Sequence, residues 1–183
     1  IIGLGSIGQR HLRLARKFRP KLEITVVRSG AGQEIPEEKI ADKVVNTIED
    51  ALARGIQAAI IATPAVFHLN QATALLCAGV HVLVEKPLSL TLNEVTKLEN
   101  LAKKNRKLLF VDYPFLFSGS INYIKKMIDS KKYGDLLEIE SYREQAPIRK
   151  DCNVVWDLTV HDISILNYLL NREPKSTKSI KIK

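Results

Sequence analysis

The strongest constraint on the fold is a glycine pattern near the start of the chain. Residues 3–8 read GLGSIG, a G-x-G-x-x-G motif that follows an apolar segment and precedes apolar residues at helical spacing. A second apolar segment, residues 22–27, comes after Pro20. Strand, glycine turn, helix and strand in this order are typical of dinucleotide-binding units, in which the backbone approaches a pyrophosphate at the helix N-terminus. The residues predicted to contact the dinucleotide are Gly3, Gly5, Ser6, Ile7 and Gly8.

The end of the second strand bears on which dinucleotide is bound. An acidic residue about 20 positions after the motif binds the ribose 2′-hydroxyl of NAD, whereas an Arg nearby accommodates the 2′-phosphate of NADP. Arg28 and Ser29 stand at this position. Both are therefore predicted to contact the cofactor, with NADP favoured over NAD. The alternative for Arg28 is a surface charge at a strand end.

Apolar segments alternate with helical patterns up to residue 111. Strands are predicted at residues 1–4, 22–27, 44–45, 57–62, 80–84 and 107–111. Helices are predicted after the glycine motif, at residues 48–54 and 65–79, and after a capping box that begins at Thr91. This alternation predicts an α/β fold built on a doubly wound parallel sheet of the Rossmann type.

The segment at residues 80–90 reads VHVLVEKPLSL and places two charges at the end of a buried strand. Pro87 has no N–H and cannot continue a central ladder, so the strand must end there. Open α/β sheets bind ligands at the carboxyl ends of their strands. The strand ends therefore predict cofactor contacts from Thr63, Pro64, His68, Glu85 and Lys86. The alternatives are a surface lysine for Lys86 and a packed histidine for His68.

The pattern changes after Asp112, where an aromatic connector begins. The domains are predicted as residues 1–113 and 114–183. The second part is expected to hold helices at 120–130 and 156–170, a strand at 136–142, an irregular loop at 143–154 and the start of a strand at 179–183. One or two strands do not form an independent sheet, so this α/β (α+β) domain is expected to be incomplete. The chain also starts inside an apolar segment, and part of the first strand is expected to be missing.

The formal net charge of +8 raises the question of a nucleic-acid partner. Six basic residues and no acid lie between Ile1 and Lys21, but no aromatic residue interleaves with them and no nucleic-acid motif is present. A solvated helix face is the favoured interpretation, and a basic field also suits an anionic substrate or a phosphorylated cofactor. No segment is long enough for a membrane helix. Cys77 and Cys152 show no metal or disulfide spacing, which predicts a reducing, cytoplasmic location.

Four motifs occur in order along nearly the whole chain. They are GLGSIG at residues 3–8, ATPAVFH at 62–68, HVLVEKPLS at 81–89 and WDLTVHDISIL at 156–166. In these motifs the chain resembles the Gfo/Idh/MocA family, the relatives of glucose–fructose oxidoreductase and inositol dehydrogenase. Residues 146–162 resemble the branch that acts on sugars or nucleotide sugars.

The resemblance implies an NAD(P)-dependent oxidoreductase with a catalytic group in two motifs. Lys86 of the Glu-Lys-Pro motif would face substrate and nicotinamide, and Asp157 and His161, in a D-x-x-x-H arrangement, would complete the group. Residues i and i+4 share one face of a helix, so Asp157 is placed to orient the His161 ring. The alternative is a helix-start cap followed by a packed histidine.

Substrate contacts are less clearly marked. Many family members carry Asn and Arg after the last Rossmann strand, where this chain has Pro114 and Leu116, so Tyr113 is the substitute candidate. Arg149 is a candidate anion contact or a solvated charge. No metal is predicted, because the acidic and histidine residues near position 161 lack a third ligand on another element.

The resulting expectation is hydride transfer between nicotinamide and a secondary hydroxyl or keto group of a sugar or nucleotide sugar. The partner is a small molecule, with no nucleic acid and no membrane, and relatives imply a homo-oligomer, dimer or tetramer, for the full-length protein. The alternative is a non-catalytic cofactor-sensing or regulatory protein of the same fold. A third possibility is that the chain lacks too much of its second sheet to be active.

Overall fold

The computed structural model describes residues 1–30, 34–143 and 155–180. Its strands are β1 (Thr25–Val27), β2 (Lys43–Val45), β3 (Ala58–Ile61), β4 (His81–Glu85) and β5 (Leu109–Asp112). Its α-helices are α1 (Ser6–Phe18), α2 (Ile48–Leu52), α3 (His68–Cys77), α4 (Leu92–Asn105), α5 (Gly119–Ser130) and α6 (Val160–Leu170). Short 3₁₀ turns cover Pro36–Ile40, Ala65–Phe67 and Pro114–Phe117.

The strands form a parallel arrangement centred on Ile2. β1 pairs with β2, and β4 lies between β3 and β5, all in parallel register. Ile2 bridges the two groups because it pairs with Val27 on one side and Ile61 on the other. The predicted first strand is therefore reduced to a bridging residue, because the chain leaves the sheet at Gly3, whose φ is +86°. The predicted doubly wound α/β fold is confirmed.

The core lies where β3 and β4 pack against α3 and α4. Val82 and Val84 of β4 are buried, while the intervening Leu83 is partly exposed, as expected for alternating strand residues. Leu75, Leu76 and Leu98 on the helices are also buried. Burying a side chain of this kind stabilises the fold by roughly 1.5–3 kcal/mol, which outweighs the modest propensity differences of short strands.

Helix α1 begins at the glycine motif, and its basic side chains form ion pairs. Arg16 Nη2 lies 2.7 Å from Asp42 Oδ2, and Arg13 Nη1 lies 2.8 Å from Glu37 Oε1. Arg16 also donates to the carbonyl of Ile40. Part of the positive charge in this region is therefore engaged in holding the segment between β1 and β2 against α1.

The chain divides into two compact units, Ile1–Asp112 and Tyr113–Lys183. That these units are the two predicted domains, residues 1–113 and 114–183, stays a prediction. In the second unit, Tyr168 Oη donates to Asn122 Oδ1 over 2.5 Å and links α6 to α5. The helix predicted at 156–170 starts differently, since Val155–Thr159 is a π-helical turn and the α-helix begins at Val160.

The strand predicted at residues 136–142 is wrong. These residues have no regular secondary structure, and Leu137 and Tyr142 are 95% and 86% exposed. Alternating polarity gives a strand only where a second strand supplies hydrogen-bond partners, and the described part of this unit contains no strand. Ser179 and Ile180, at the start of the other predicted strand, are likewise irregular, and residues 181–183 lie outside the described ones.

No helix in the described ranges combines the length and apolar character needed to cross a bilayer.

Candidate functional site

The glycine motif forms a tight turn whose three glycines meet different surroundings. A Cβ on Gly8 would lie 2.1 Å from the carbonyl oxygen of Gly3, and a Cβ on Gly3 would lie 2.8 Å from Thr63 Cγ2. A Cβ on Gly5 would meet no atom within 4 Å. Gly3 and Gly8 thus permit close packing of turn, helix and strand, while Gly5 leaves open space at the helix N-terminus where a pyrophosphate is stabilised.

A cleft of about 530 Å³ lies at the carboxyl ends of the parallel strands. Of the residues predicted to bind the cofactor, it is lined by Gly3, Gly5, Arg28, Ser29, Thr63 and Pro64. The cleft suits an extended ligand, because it runs from the glycine turn to the end of β1. The cofactor contacts predicted for Ser6, Ile7 and Gly8, which begin α1, stay predictions.

Three polar or aromatic side chains that line the cleft were not predicted from the sequence. Asn46, Phe67 and Gln71 line it, and Gln71 Oε1 accepts a hydrogen bond from Thr63 Oγ1 at 2.6 Å. Asn46 directly follows β2, so the rule that strand ends face the ligand would have found it. Gln71 lies one turn after the start of α3 and carries no comparable signal.

Arg28 reaches the cleft but forms an ion pair with Glu38. Both side chains are largely buried, with 17% and 16% exposure. Glu38 also accepts a hydrogen bond from the Ile35 backbone N–H at 3.2 Å, which fixes its carboxylate beside the guanidinium. An acidic group therefore stands beside Arg28, and it comes from a position about ten residues later than the one that the NAD/NADP rule considers.

His68 is buried, with 1% exposure, and connects the loops that follow β3 and β4. Its Nε2 lies 2.8 Å from the Thr63 carbonyl oxygen and its Nδ1 lies 2.8 Å from the Pro87 carbonyl oxygen. Carbonyl oxygens only accept, so both bonds form together only when both ring nitrogens carry hydrogen. His68 thus holds the loop after Lys86, and its predicted contact with the cofactor stays a prediction.

Glu85 and Lys86 stand where β4 ends, as predicted. Lys86 is partly buried and precedes Pro87 through a cis peptide bond. Glu85 Oε1 lies 2.8 Å from His11 Nε2, and Asp112, its register partner on β5, lies 3.6 Å from the same nitrogen. Burial and the neighbouring Glu85 carboxylate raise the pKa of Asp112. The cofactor contacts predicted for Glu85 and Lys86 stay predictions.

The raised pKa of Asp112 predicts a pH-dependent effect of Asp112→Asn. Between the ordinary and the raised pKa the folded state binds more protons than the unfolded state, so wild-type stability falls as pH rises through that window. Asparagine does not ionise. The variant is expected to match wild type at low pH and to exceed it at neutral pH, by on the order of 1 kcal/mol or less because Asp112 keeps contact with solvent. Urea unfolding in chelator-containing buffer at acidic and neutral pH tests this, and equal stability differences at both would contradict it.

In the second unit, His161 packs against an aromatic and guanidinium cluster. Its ring meets that of Phe115 edge-on, with 5.0 Å between the centroids, and the Arg143 guanidinium lies 5.0 Å from the same phenyl ring. Asp157 is buried, with 9% exposure, on the π-helical turn. Asp157 and His161 therefore do not share one α-helix as predicted, because the α-helix starts only at Val160, and the hydrogen bond between them stays a prediction.

Asp162 is engaged by Arg143 through two hydrogen bonds of 2.9 and 3.0 Å, and Ser141 Oγ donates to the same carboxylate. Burial alone would raise the pKa of Asp162, but the bonds from Arg143 and Ser141 bring it below its usual value. This bidentate pair occupies the carboxylate oxygens that a metal would need.

The two predicted substrate contacts, Tyr113 and Arg149, stay predictions. Burial raises the pKa of Tyr113. Arg149 lies outside the described residues.

A known protein family matches the first part of the chain. Residues 1–113 match the family model described as "Oxidoreductase family, NAD-binding Rossmann fold", GFO_IDH_MocA. The chain belongs to the Gfo/Idh/MocA family. The resemblance inferred from the four motifs is therefore confirmed.

Several curated relatives are identical to the chain at about a quarter of the aligned positions. It is 25% identical over 187 residues to inositol 2-dehydrogenase of Salmonella typhimurium, covering 97% of this chain and 56% of that protein. It is 26% identical over 183 residues to UDP-N-acetylglucosamine 3-dehydrogenase of Acidithiobacillus ferrooxidans, covering 98% and 56%. The chain thus spans about half the length of the curated relatives it matches.

One solved structure that the chain resembles holds two ligands. The WlbA dehydrogenase of Chromobacterium violaceum, in complex with NADH and UDP-GlcNAcA, is 25% identical, with a TM-score of 0.66 over 73% of this chain and 39% of that one. Over that part the two chains share a fold.

Proposed function

We propose that the protein is an NAD(P)-dependent oxidoreductase that moves hydride between nicotinamide and a secondary hydroxyl or keto group of a sugar or nucleotide sugar. The observation that carries the proposal is the glycine-lined cleft at the strand ends in a chain of this family. His68 links Thr63, which lines this cleft, to Pro87, the residue after Lys86. The open space at Gly5 and the tight packing at Gly3 and Gly8 suit a bound pyrophosphate.

The chain's own residues are assigned to proton and charge control. The bound nicotinamide supplies the hydride acceptor or donor, which protein side chains cannot replace. In the oxidative direction His161 accepts the proton of the reacting hydroxyl as general base. The Lys86 ammonium stabilises the negative charge that develops on that oxygen in the transition state. Asp157 orients His161, and Tyr113 and Arg149 are the proposed substrate contacts.

The Arg28–Glu38 pair bears on cofactor choice. Arg28 and Ser29 alone favour NADP, but the Glu38 carboxylate neutralises the guanidinium and would repel a 2′-phosphate. We propose NAD as the preferred cofactor, with Glu38 acting as the acid that disfavours NADP.

Glu38→Gln is expected to shift cofactor preference towards NADP. Removing the carboxylate removes the negative charge that repels a 2′-phosphate next to Arg28, and Arg–phosphate bonds are among the stronger hydrogen bonds in proteins. The Kd ratio for NADP over NAD is expected to fall by about tenfold, equivalent to about 1.4 kcal/mol. Fluorescence titration with both reduced cofactors measures the ratio, with Glu37→Gln on the neighbouring residue as control. An unchanged ratio would remove Glu38 from cofactor selection.

The substrate class rests on relatives named for inositol and for a UDP-amino sugar. The decisive experiment follows reduced nicotinamide spectroscopically while the full-length protein is given NAD or NADP with a panel of inositols, free sugars and UDP-sugars. Turnover with one class is expected. Tight cofactor binding with no turnover across the panel would instead support a cofactor sensor.

The cytoplasmic location and the homo-oligomeric assembly belong to this proposal. The first rests on the cysteine spacing, and the second on the family resemblance.

A further inference from the structure

A compact group of three potential ligands lies where α1 crosses the ends of two strands. His11 of α1, Glu85 at the end of β4 and Asp112 at the end of β5 each offer one donor atom, and these atoms all lie within 4.8 Å of one another. The side chains are 14%, 14% and 20% exposed, so the group is sheltered but open to small ions. Glu85 and Asp112 are direct register partners, so their side chains emerge on the same face of the sheet.

The imidazole cannot satisfy both carboxylates by itself. His11 Nε2 lies 2.8 Å from Glu85 Oε1, a normal hydrogen bond, but 3.6 Å from Asp112 Oδ2, which is beyond hydrogen-bond length. A ring nitrogen carries at most one hydrogen, so one N–H serves one carboxylate. The second carboxylate then stands beside the first in a partly buried place, and some positive species must relieve the repulsion.

We propose that His11, Glu85 and Asp112 form a binding site for a divalent transition-metal ion such as Zn²⁺. Zinc binds His nitrogen and carboxylate oxygen at about 2.0–2.2 Å, which separates the ligands of a tetrahedral site by about 3.3–3.6 Å. The 3.6 Å separation between His11 and Asp112 lies at the upper end of that range, and the 2.8 Å separation between His11 and Glu85 lies below it. Water would complete the coordination, as in sites with three protein ligands.

The electrostatic balance around the group favours a divalent ion over none. With a neutral imidazole, Glu85 and Asp112 carry two negative charges, and Arg10 is the nearby cation that interacts with Asp112. A proton on Asp112 and a metal ion are therefore alternative ways to relieve the same repulsion, and the ion serves all three groups at once.

The proposed metal site takes no part in the proposed hydride transfer. A metal here would tie the dinucleotide-binding helix α1 to the strand end that precedes Lys86, and hydride transfer itself needs no metal in the proposal above. Binding of the ion is therefore measurable whether or not the protein proves to be an oxidoreductase.

Calorimetric titration of chelator-treated protein with ZnSO₄ tests the proposal. All samples carry Cys77→Ser and Cys152→Ser, because a cysteine thiol could bind zinc by itself. One equivalent of zinc is expected to bind, and the thermal midpoint is expected to rise with added zinc. His11→Gln and Asp112→Asn are each expected to weaken binding at least about tenfold and to abolish the rise in midpoint.

The matched control is His81→Gln, which removes a histidine from β4, the strand that also carries Glu85. His81 accepts a hydrogen bond from the Leu108 N–H and lies outside the group, so zinc binding should be unchanged. Circular dichroism of each metal-free variant establishes that it is folded, and Asp112→Asn keeps the side-chain shape. Absence of one-equivalent binding in the parent, or undiminished binding in both ligand variants, would overturn the proposal.

Discussion

Gly8→Ala is expected to destabilise the protein and to abolish dinucleotide binding. The added Cβ would lie 2.1 Å from the Gly3 carbonyl oxygen and 3.0 Å from its carbonyl carbon, and both are backbone atoms that no rotamer change can move. Alanine within a helix is favoured over glycine by about 0.5–1 kcal/mol, but overpacking of this kind costs about 1–3 kcal/mol or more. The clash therefore dominates, and it displaces the turn that binds the pyrophosphate.

Thermal unfolding and NADH titration measure the two effects of Gly8→Ala. A loss of 1 kcal/mol lowers the midpoint of a unit of this size by about 4 °C. Gly5→Ala is the matched control, because a Cβ there meets open space and the backbone, with φ of −66°, suits alanine. It should leave the midpoint unchanged and weaken only cofactor binding. Equal midpoints for all three proteins would contradict the assigned geometry of the turn.

His161→Ala is expected to lower kcat by about 10²–10⁴-fold with the substrate identified from the panel, because a general base contributes an effect of that size. The variant also loses the edge-on contact with Phe115, so its thermal midpoint is measured in parallel. Loss of kcat without a comparable loss of cofactor affinity is the expected result, since the proposed cofactor cleft lies in the other unit.

His81→Ala serves as control for the kinetic comparison, because it removes an imidazole that has no proposed role in catalysis. Its kcat should remain close to wild type. An undiminished kcat in His161→Ala would reject the base assignment, while an equal loss in both variants would point to a general effect on folding.

The first unit was predictable because local pattern and tertiary structure agree there. The glycine motif, the apolar segments and the strand end at Pro87 each have one cause that is visible in the sequence. Ile2 shows the limit of this agreement. It pairs with Val27 and Ile61 inside the strand predicted at residues 1–4, but the pairing is confined to this one residue. The prediction of a strand at 136–142 was wrong, because a strand needs a neighbouring strand to pair with and alternating polarity does not show whether one is present.

The site was partly predictable for a similar reason. Strand-end rules found Arg28 and Thr63, which line the cleft. They also place Lys86 directly after β4, where its role in the site stays a prediction. They did not find Glu38, because its approach to Arg28 depends on the path of the chain between β1 and β2. The bonds of His68 with two loop carbonyls depend on tertiary packing in the same way, as does the meeting of His11 with two strand ends.

The central claim is hydride transfer, and an isotope experiment tests it most directly. The full-length protein is incubated with oxidised cofactor and a substrate that carries deuterium on the reacting carbinol carbon, and the reduced nicotinamide is examined by mass spectrometry. Deuterium on the nicotinamide ring is the predicted result. Reduced cofactor without the label, or substrate and cofactor both bound and unchanged, would contradict the account.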